Sequence, residues 1–342
     1  MRQRRKQMAK DVTLADIAEK VGVSTVAVSK ALSGKAGVSD ELRMRIKSIA
    51  DEMGYIPATY RKAAVETGNI GVIVPEQYYG YSISFYGKLY EKVVRALYDN
   101  QYYGILEILG KDAEKERELP RVMQEGKVDG LIFLGQMAES YIRAMVEQTN
   151  LPVFFLDTYM PSVVLDTVIS DGYYGMYMLT NYLIKRGHKR IAYVGSVGAT
   201  SSIADRFWGY RRALRESGIP FQEEWEIPDR DERDRTFDKV ITEHKGVDAY
   251  VCNCDYTAFT VINDLEELGL GVPEDVSVVG FDNFLPEHMD SGRITSYEVD
   301  VEHMADLCVK SIIRKIKNRK YTKGVQIVTG EIVEKQSVAD RG

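Results

Sequence analysis

Two short stretches near the start of the chain carry hydrophobic residues at helical spacing. Within residues 14–21 the apolar side chains recur every three or four positions, and residues 25–32 repeat the pattern. Thr13 and Ser24 are suitable N-cap residues for the two stretches, and Gly22 stops the first of them. The pattern therefore predicts two short helices that are joined by a tight turn.

The second of these helices has a polar face as well as an apolar one. With Val28 turned inward, the exposed face carries Thr25, Val26, Ser29 and Lys30. Such a pair of helices is typical of a helix-turn-helix, whose second helix enters the major groove of DNA. The pattern alone leaves a second interpretation open, an ordinary helical hairpin that packs on a larger domain.

The distribution of charge favours the DNA-binding interpretation. Residues 1–62, which open with the basic stretch "MRQRRK", hold 13 Lys and Arg against 7 Asp and Glu, a net charge of +6. The whole chain of 342 residues has a net charge of −6, so the remainder carries −12. A basic segment attached to an acidic one is the expected pattern of a protein in which one module meets the phosphates of DNA.

A different periodicity begins after a third helical pattern, at residues 39–54, and a connector, at residues 55–69. Apolar runs of strand length then alternate with longer amphipathic stretches. The runs include "IGVIV", "DGLIFL", "PVFFL", "RIAYVG", "DAYVC" and "VSVVGF". This alternation predicts parallel sheets covered on both faces, and a span of about 270 residues is better divided into two α/β subdomains than built as one.

Polar residues follow several of these runs. Asp157, Ser196, Asp255 and Asp282 each come at or just after a strand end, where open parallel sheets bind their ligands. Carboxylates accept hydrogen bonds from hydroxyls, and nearby aromatic faces can cover a sugar ring, so the pattern indicates a pocket for a neutral, hydroxyl-rich ligand. Arg206, in "DRFWGY", strengthens this interpretation over the alternative that each Asp caps the next helix.

Composition argues against several other classes of protein. No apolar run reaches the length of a membrane span, and no apolar segment follows the basic N-terminus as in a secretory signal. The cysteines Cys252, Cys254 and Cys308 fit neither a disulfide framework nor a zinc site, which suits a reducing cytoplasm. No phosphate-binding loop, HExxH or GxSxG motif is present. We therefore expect a cytoplasmic protein that is not an enzyme, with no cofactor, no metal and no membrane partner.

The motifs together resemble the LacI/GalR family of bacterial transcription regulators, from about Val12 to Ala339. The motifs that carry the resemblance are "TLADIAEKVGVS", "GYIP", "IGVIVP", "DGLI", "LIKRGHKRIAYVG", "RFWGY", "VPEDVSVVGFDN" and "EIVEKQS". The resemblance implies a homodimer that binds a near-palindromic operator in double-stranded DNA. It also implies a small-molecule effector, commonly a mono- or oligosaccharide, that changes operator affinity. A sugar-specific solute-binding protein of a transporter is the alternative, because its fold would match that of the body.

The resemblance also implies a division of the chain. A three-helix helix-turn-helix head at 11–57 and a hinge at 58–68 precede a periplasmic-binding-protein-like body of two doubly wound parallel-sheet subdomains at 69–338. Within the body, the boundaries place the N-subdomain at about 69–165 and 298–325. The C-subdomain takes about 166–297 and 326–338.

On this resemblance, the base-reading positions are Thr25, Val26 and Lys30, and the phosphate contacts are Ser24 and Ser29. The full set of candidate DNA-binding residues is Thr13, Ser24, Thr25, Val26, Ser29, Lys30 and Ala64. Several positions depart from the family pattern, Lys30 and Ala64 among them. Lys30 stands where arginine is common, and lysine lacks the rigid, planar guanidinium of arginine. Ala64 stands where the family has a leucine wedged into the minor groove, and alanine is too small to unstack a base step well.

The positions at the ends of the predicted strands and the resemblance to the family together give the candidate effector-binding residues. These are Phe85, Tyr86, Asp157, Ser202, Arg206, Asp255 and Asp282. The aromatic pair Phe85 and Tyr86 has two open interpretations, stacking on a sugar ring or packing between the subdomains.

Overall fold

The structure is a computed structural model. It describes residues 12–32, 37–53, 55, 67–79, 85–160, 163–230, 240–244, 246–286, 289 and 292–342. The chain divides into two compact units at residues 66 and 67, a head and a body, and each is described by itself. Among the described residues, no helix combines the length and apolarity needed to cross a membrane.

The head begins with the two helices that the hydrophobic spacing predicts, α1 (Leu14–Val21) and α2 (Thr25–Leu32). The Asp16 amide donates to Thr13 Oγ1 at 3.3 Å, and the Thr13 amide donates to Asp16 Oδ2 at 2.6 Å, a reciprocal capping box. Gly22 ends α1 at φ 81°, a left-handed conformation that glycine adopts without strain. The sequence prediction of these two helices and their turn is confirmed.

The third helix, α3 (Asp40–Glu52), completes a small core with the first two. Apolar side chains of all three helices are buried in it, including Ile17, Val28 and Ile46, each 0% exposed. The Arg43 guanidinium donates to the backbone carbonyl of Ala31 at 3.1 Å and so fastens the end of α2 to α3. The helix is thereby held by its neighbours, since eight residues make a marginal helix on their own.

The body alternates strands and helices along its length. In chain order, its described elements are β1 (Asn69–Pro75), α4 (Glu76–Tyr79), α5 (Phe85–Asp99), β2 (Tyr103–Leu109), α6 (Lys111–Glu116), α7 (Arg121–Gln124), β3 (Gly130–Leu134), α8 (Glu139–Gln148), β4 (Val153–Leu156), β5 (Thr167–Ser170), α9 (Gly172–Lys185), β6 (Ile191–Val194), α10 (Ser201–Glu216), a short 3-10 helix (Glu223–Trp225), β7 (Glu226–Ile227), β8 (Ala249–Cys252), α11 (Asp255–Glu267), β9 (Ser277–Asp282), β10 (Thr295–Glu298), α12 (Val301–Lys317), β11 (Val325–Val328) and β12 (Glu331–Val333).

These strands form two sheets, one in each subdomain. The first sheet has the order β11-β5-β4-β3-β1-β2 and is parallel throughout. The second has the order β12-β10-β9-β8-β6-β7, with only the β10–β12 pair antiparallel. We call the two halves the first and second subdomains, and they have the doubly wound architecture that the alternating pattern predicts.

Helices cover both faces of the sheets. In β1, Val72 and Val74 belong to one buried cluster, whereas Ile73 belongs to another on the opposite face. Because successive strand side chains point to opposite faces, a strand with both faces covered needs a continuous apolar run. This is why "IGVIV" shows no polar alternation.

The chain passes between the two subdomains a few residues later than the expected boundaries at 165 and 325. Strand β5 pairs with β4 and β11, so Thr167–Ser170 lies in the first sheet and not in the second. The last strand of the first sheet likewise runs to Val328, and β12 then pairs with β10 in the second. The remaining crossing lies between β10 and α12, which packs on β4 and β5 of the first subdomain.

Candidate functional site

The candidate DNA-contacting face of α2 is exposed. Thr25, Val26, Ser29 and Lys30 all lie on the surface, with Val26 62% exposed, while Val28 is buried on the opposite side of the helix. Exposure of an apolar residue on this face fits contact with thymine methyl groups in a major groove.

Two other candidate residues of the head have structural partners. Ser24 Oγ accepts a hydrogen bond from the Ala27 amide at 3.2 Å and caps α2. Thr13 is occupied in the capping box of α1. Ala64 and the rest of the stretch 56–66 lie outside the described residues, as does the basic stretch 1–11.

The centre of the second candidate site is Arg206 on α10, which is 5% exposed. Its Nη2 donates to Asp282 Oδ1 at 3.0 Å, and its Nη1 donates to the Asn253 carbonyl at 2.6 Å. The guanidinium also lies over the Phe281 ring, 3.9 Å from its centroid. Its Nε is buried and has no hydrogen-bond partner among the described residues. The plane of the guanidinium is therefore fixed, and one inward-facing donor is unused.

Asp157 brings a carboxylate from the first subdomain to this centre. Burial raises the pKa of the Asp157 carboxyl, and the opposing effects of the Arg206 charge and a hydrogen bond from Tyr86 do not cancel the rise. Burial also raises the pKa of Asp282 to about 6, with Arg206 acting to lower it and Asp157 to raise it. The mutual influence of these charges means that the two subdomains present their charged groups to one another across a shared cleft.

Both of these aspartates have an unusual backbone conformation. Asp157 has φ 59° and Asp282 has φ 94°, and each stands at the carboxyl end of its strand. Left-handed backbone is uncommon outside glycine and is tolerated by Asp and Asn better than by most residues. Such conformations concentrate at functional sites, where the surrounding structure maintains them.

Asp255 lies behind this centre. Its Oδ1 accepts from Ser296 Oγ at 2.7 Å, and its Oδ2 accepts from the Phe284 amide at 2.8 Å. Burial raises the pKa of its carboxyl to about 8. Its two oxygens therefore link the neighbouring strand β10 to the loop just after Asp282, and the buried carboxylate supports the site from within the second subdomain.

The aromatic candidates lie at the start of α5. Tyr86 donates its hydroxyl to Asp157 Oδ2 at 2.9 Å, and its ring is 4.3 Å from that of Tyr78. Phe85 meets Tyr86 edge to face at 5.5 Å. A Cβ at Gly135 would approach the Tyr78 ring at 2.9 Å, so only glycine lets the two tyrosines occupy this corner of the cleft.

Ser202, the remaining candidate, lines a recess between the subdomains that is too narrow to hold a water molecule. Asp157, Tyr159 and Asp205 line the same recess. The Tyr159 hydroxyl donates to Asp205 Oδ1 at 2.7 Å, a direct hydrogen bond between the first and second subdomains. The sequence reasoning did not identify this pair, although Tyr159 follows Asp157 by two residues and Asp205 precedes Arg206.

A further buried network in the second subdomain also escaped the sequence reasoning. Asp229 Oδ2 accepts from Asn253 Nδ2 and from Thr257 Oγ1, each at 2.6 Å, and from Arg230 Nη2 at 2.7 Å. Burial acts to raise the pKa of Asp229, but these donors hold it at about 2. The network also takes up Ser196, whose amide donates to Asp229 Oδ1 at 3.0 Å, so this strand-end serine is structural. Within the described residues, no group of three or more His, Cys, Asp or Glu side chains is arranged to hold a metal ion.

A helix-turn-helix head and a two-sheet body with a charged cleft define a class, that of DNA-binding regulators whose body resembles periplasmic binding proteins. Residues 13–58 match the family described as bacterial regulatory proteins, lacI family, and residues 180–338 match the periplasmic binding protein-like domain. The chain thus combines a lacI-family DNA-binding region with a periplasmic binding protein-like region.

Named relatives agree with this assignment. The HTH-type transcriptional repressor PurR of Vibrio atlanticus (strain LGP32) is 27% identical over 332 residues, covering 95% of this chain and 98% of that protein. The PurR of Pectobacterium carotovorum subsp. carotovorum (strain PC1) is 26% identical over 335 residues, covering 96% and 97%.

Solved structures share the fold. A complex of the transcriptional regulator CelR with cellobiose has a TM-score of 0.68 at 22% identity, covering 95% of this chain and 99% of that one. The lac repressor dimer bound to operator and the anti-inducer ONPF has a TM-score of 0.66 at 19% identity, covering 96% and 100%.

Proposed function

We propose that this protein is a ligand-responsive repressor of carbohydrate-utilisation genes. It binds a palindromic operator as a homodimer through α2, and a mono- or oligosaccharide in the cleft between the subdomains shifts operator affinity. A protein with this function works beside the chromosome, in the cytoplasm.

Support for operator binding comes from the exposed face of α2. Thr25, Val26 and Lys30 stand on consecutive turns of one short helix, and the first 62 residues carry a net charge of +6. Lysine donors reach the O6 and N7 acceptors of guanine in the major groove, and the surrounding positive charge attracts the phosphates. Ala64 remains a candidate minor-groove contact on sequence grounds alone.

The observation that carries the effector proposal is the buried Arg206–Asp282 pair facing Asp157. Arg206 has an unused Nε donor, and the two carboxylates supply acceptors from opposite subdomains. A ligand that presents several hydroxyls can donate to these carboxylates and accept from the guanidinium at once. A purely apolar ligand would leave the buried Nε donor of Arg206 unsatisfied, which is energetically costly.

The aromatic corner supports a ring-shaped ligand. Tyr86 presents its ring beside Tyr78 while its hydroxyl holds Asp157 in place. An aromatic face next to a carboxylate suits a pyranose, which has an apolar face and a hydroxylated edge. Cellobiose is named in the complex of the structurally similar CelR, a precedent for a sugar bound by this fold.

Switching follows from binding on both sides of the cleft. A ligand that touches Asp157 and Arg206 together stabilises only the closure state that brings them together. Differential binding of this kind shifts the population of body conformations, and operator affinity follows if the two conformations bind DNA differently.

The proposal is tested by screening the full chain against neutral mono- and oligosaccharides. Thermal shift identifies a ligand, and titration calorimetry then compares wild type with Arg206→Lys, which keeps the charge but loses the planar fork. We expect at least tenfold weaker binding for Arg206→Lys and a ligand-dependent change in operator affinity by gel shift. Arg95→Gln, an exposed substitution on α5, is the control.

Two results would contradict the proposal in different ways. Equal ligand affinity in wild type and Arg206→Lys would show that Arg206 does not contact the ligand. Sugar binding without affinity for any duplex DNA would support a solute-binding protein instead.

A further inference from the structure

A groove of about 540 Å³ lies on the second subdomain, along the C-terminal half of α10 and the loop after it. Its principal lining residues are Tyr173, Trp208, Arg211, Arg212, Arg215 and Phe221. None of them takes part in the cleft described above. The volume lies within the roughly 300–1,000 Å³ typical of small-molecule sites.

The groove side of α10 is a single stripe of aromatic and basic side chains. Trp208, Arg211, Arg212 and Arg215 follow the spacing that places residues on one helix face, so they succeed one another over about two turns. Trp208 is 56% exposed, an unusual condition for the largest apolar side chain. The stripe therefore offers a flat indole surface next to a row of cations.

The three arginines are not equivalent. Arg212 Nε donates to Glu216 at 2.8 Å, so its charge is already matched. Arg211 lies over the Phe221 ring, 3.6 Å from its centroid, which fixes its guanidinium plane. Among the described residues, neither Arg211 nor Arg215 has a carboxylate within ion-pairing distance. These two cations stand four residues apart on α10, within residues 63–342, whose net charge is −12.

We propose that this groove binds a phosphorylated small molecule, with its ring on Trp208 and its phosphate between Arg211 and Arg215. Guanidinium forks match phosphate oxygens in bidentate fashion, and a stacked guanidinium is already oriented for this contact. Neighbours one helical turn apart, about 5–6 Å between Cβ atoms, can share one phosphate. The ring can come from a nucleotide or a sugar phosphate, because both place a phosphate near a body that stacks on indole.

Tryptophan fluorescence gives a local reading of this site. The chain has two tryptophans, and Trp225 is only 8% exposed, so Trp225→Phe leaves Trp208 as the single reporter. The full chain with this change is titrated with ADP, glucose 6-phosphate, inorganic phosphate and a hexaglutamate peptide. Calorimetry repeats each titration on wild type, Arg211→Gln and Arg215→Gln. Arg95→Gln is the matched control, because Arg95 is an exposed helical arginine on α5, which lies far from α10 in the chain.

We expect saturable quenching of Trp208 by ADP or glucose 6-phosphate and at least tenfold weaker binding in Arg211→Gln and Arg215→Gln. Arg95→Gln should bind as wild type does. The tighter of the two phosphorylated probes identifies the source of the ring, and Trp208→Ala should weaken that probe while leaving inorganic phosphate unchanged.

Three outcomes would overturn the proposal. Inorganic phosphate that binds as tightly as both ring-bearing probes indicates an adventitious ion only. Hexaglutamate that binds more tightly than either phosphorylated probe indicates a surface for an acidic protein segment. Unchanged affinity in Arg215→Gln, an exposed residue whose replacement leaves the core intact, removes the phosphate site altogether.

Discussion

The recognition face of α2 and the cleft of the body are built in opposite ways. The base-reading candidates Thr25, Val26 and Lys30 lie on one exposed face of α2. The cleft residues come from strand ends as distant as Asp157 and Asp282, and they are buried and bonded to one another. Function is therefore separable from stability at these three positions of the head, whereas in the cleft Arg206, Asp157 and Asp282 are also part of the hydrogen-bonded interior.

Arg206→Ala should give the largest effect, because it leaves the buried Asp282 carboxyl without its cation. Breaking one side of a buried pair typically costs about 3–5 kcal/mol of unfolding free energy. Urea denaturation at pH 7, followed by tryptophan emission, measures this cost. The double variant Arg206→Ala/Asp282→Ala should lose much less than the two single variants added together. Additive losses would show that the pair is not coupled.

Asp255→Asn should change how stability depends on pH. Because the pKa of Asp255 is raised to about 8, the folded protein keeps a proton that the unfolded chain, with an ordinary value near 4, releases. This contribution is fully present below about pH 4 and is lost as pH rises to about 8.

Asparagine stays neutral at every pH, with an NH2 group in place of one of the two acceptor oxygens. Between pH 5 and pH 9 the variant should therefore lose less stability than wild type, by on the order of 2–5 kcal/mol. Asp282, whose pKa is raised to about 6, adds a slope of the same sign in both proteins, and its charge is one of the causes that raise the pKa of Asp255. Denaturation curves at pH 5, 7 and 9 test this, and parallel curves for the two proteins would refute it.

Lys30→Ala tests the other side of the comparison. Loss of a good base contact should weaken operator binding by about 1–3 kcal/mol. Stability should change by less than about 0.5 kcal/mol, as for most surface positions. Fluorescence anisotropy at several salt concentrations measures the affinity, and Lys47→Ala on α3 removes the same charge from another exposed position of the head. Equal losses in both variants would mean that Lys30 acts only through its charge.

Tyr159→Phe should give the smallest effect. It deletes the hydrogen bond to Asp205 across the cleft and retains the ring, at a cost of about 1 kcal/mol in unfolding free energy. Tyr98→Phe, on a residue that is 70% exposed, is the matched control and should be neutral. If thermal denaturation shows the two variants to be alike, the inter-subdomain hydrogen bond contributes nothing.

The same contrast explains how far the sequence could lead. The helices of the head are encoded locally, so Thr13, Asp16 and Gly22 were sufficient to predict the start and end of α1. The strand-end positions of Asp157 and Asp282 were also visible, because each follows an apolar run. The roles of the candidate residues stay predictions until variants are measured.

Partners that lie far apart in the chain could not be predicted. Asp255 was a plausible ligand contact on its position, but its carboxylate is occupied by Ser296, 41 residues away. Tyr159 donates a hydrogen bond to Asp205, which lies 46 residues later in the chain and in the other subdomain. Strand β5 pairs with β4 on one side and on the other with β11, which lies more than 150 residues later, and nothing in the short run "TVIS" identifies that second partner.

The left-handed backbone at Asp157 and Asp282 restricts how this cleft can be re-engineered or can diversify. At φ 59° and φ 94°, β-branched and bulky side chains are strained whatever contacts they could offer a ligand. A library randomised at these two positions should return mostly Asp, Asn and Gly among folded members. Changes of ligand preference must then come from neighbours with ordinary backbone, such as Ser202 and Tyr159, so the two aspartates act as fixed points around which specificity is varied.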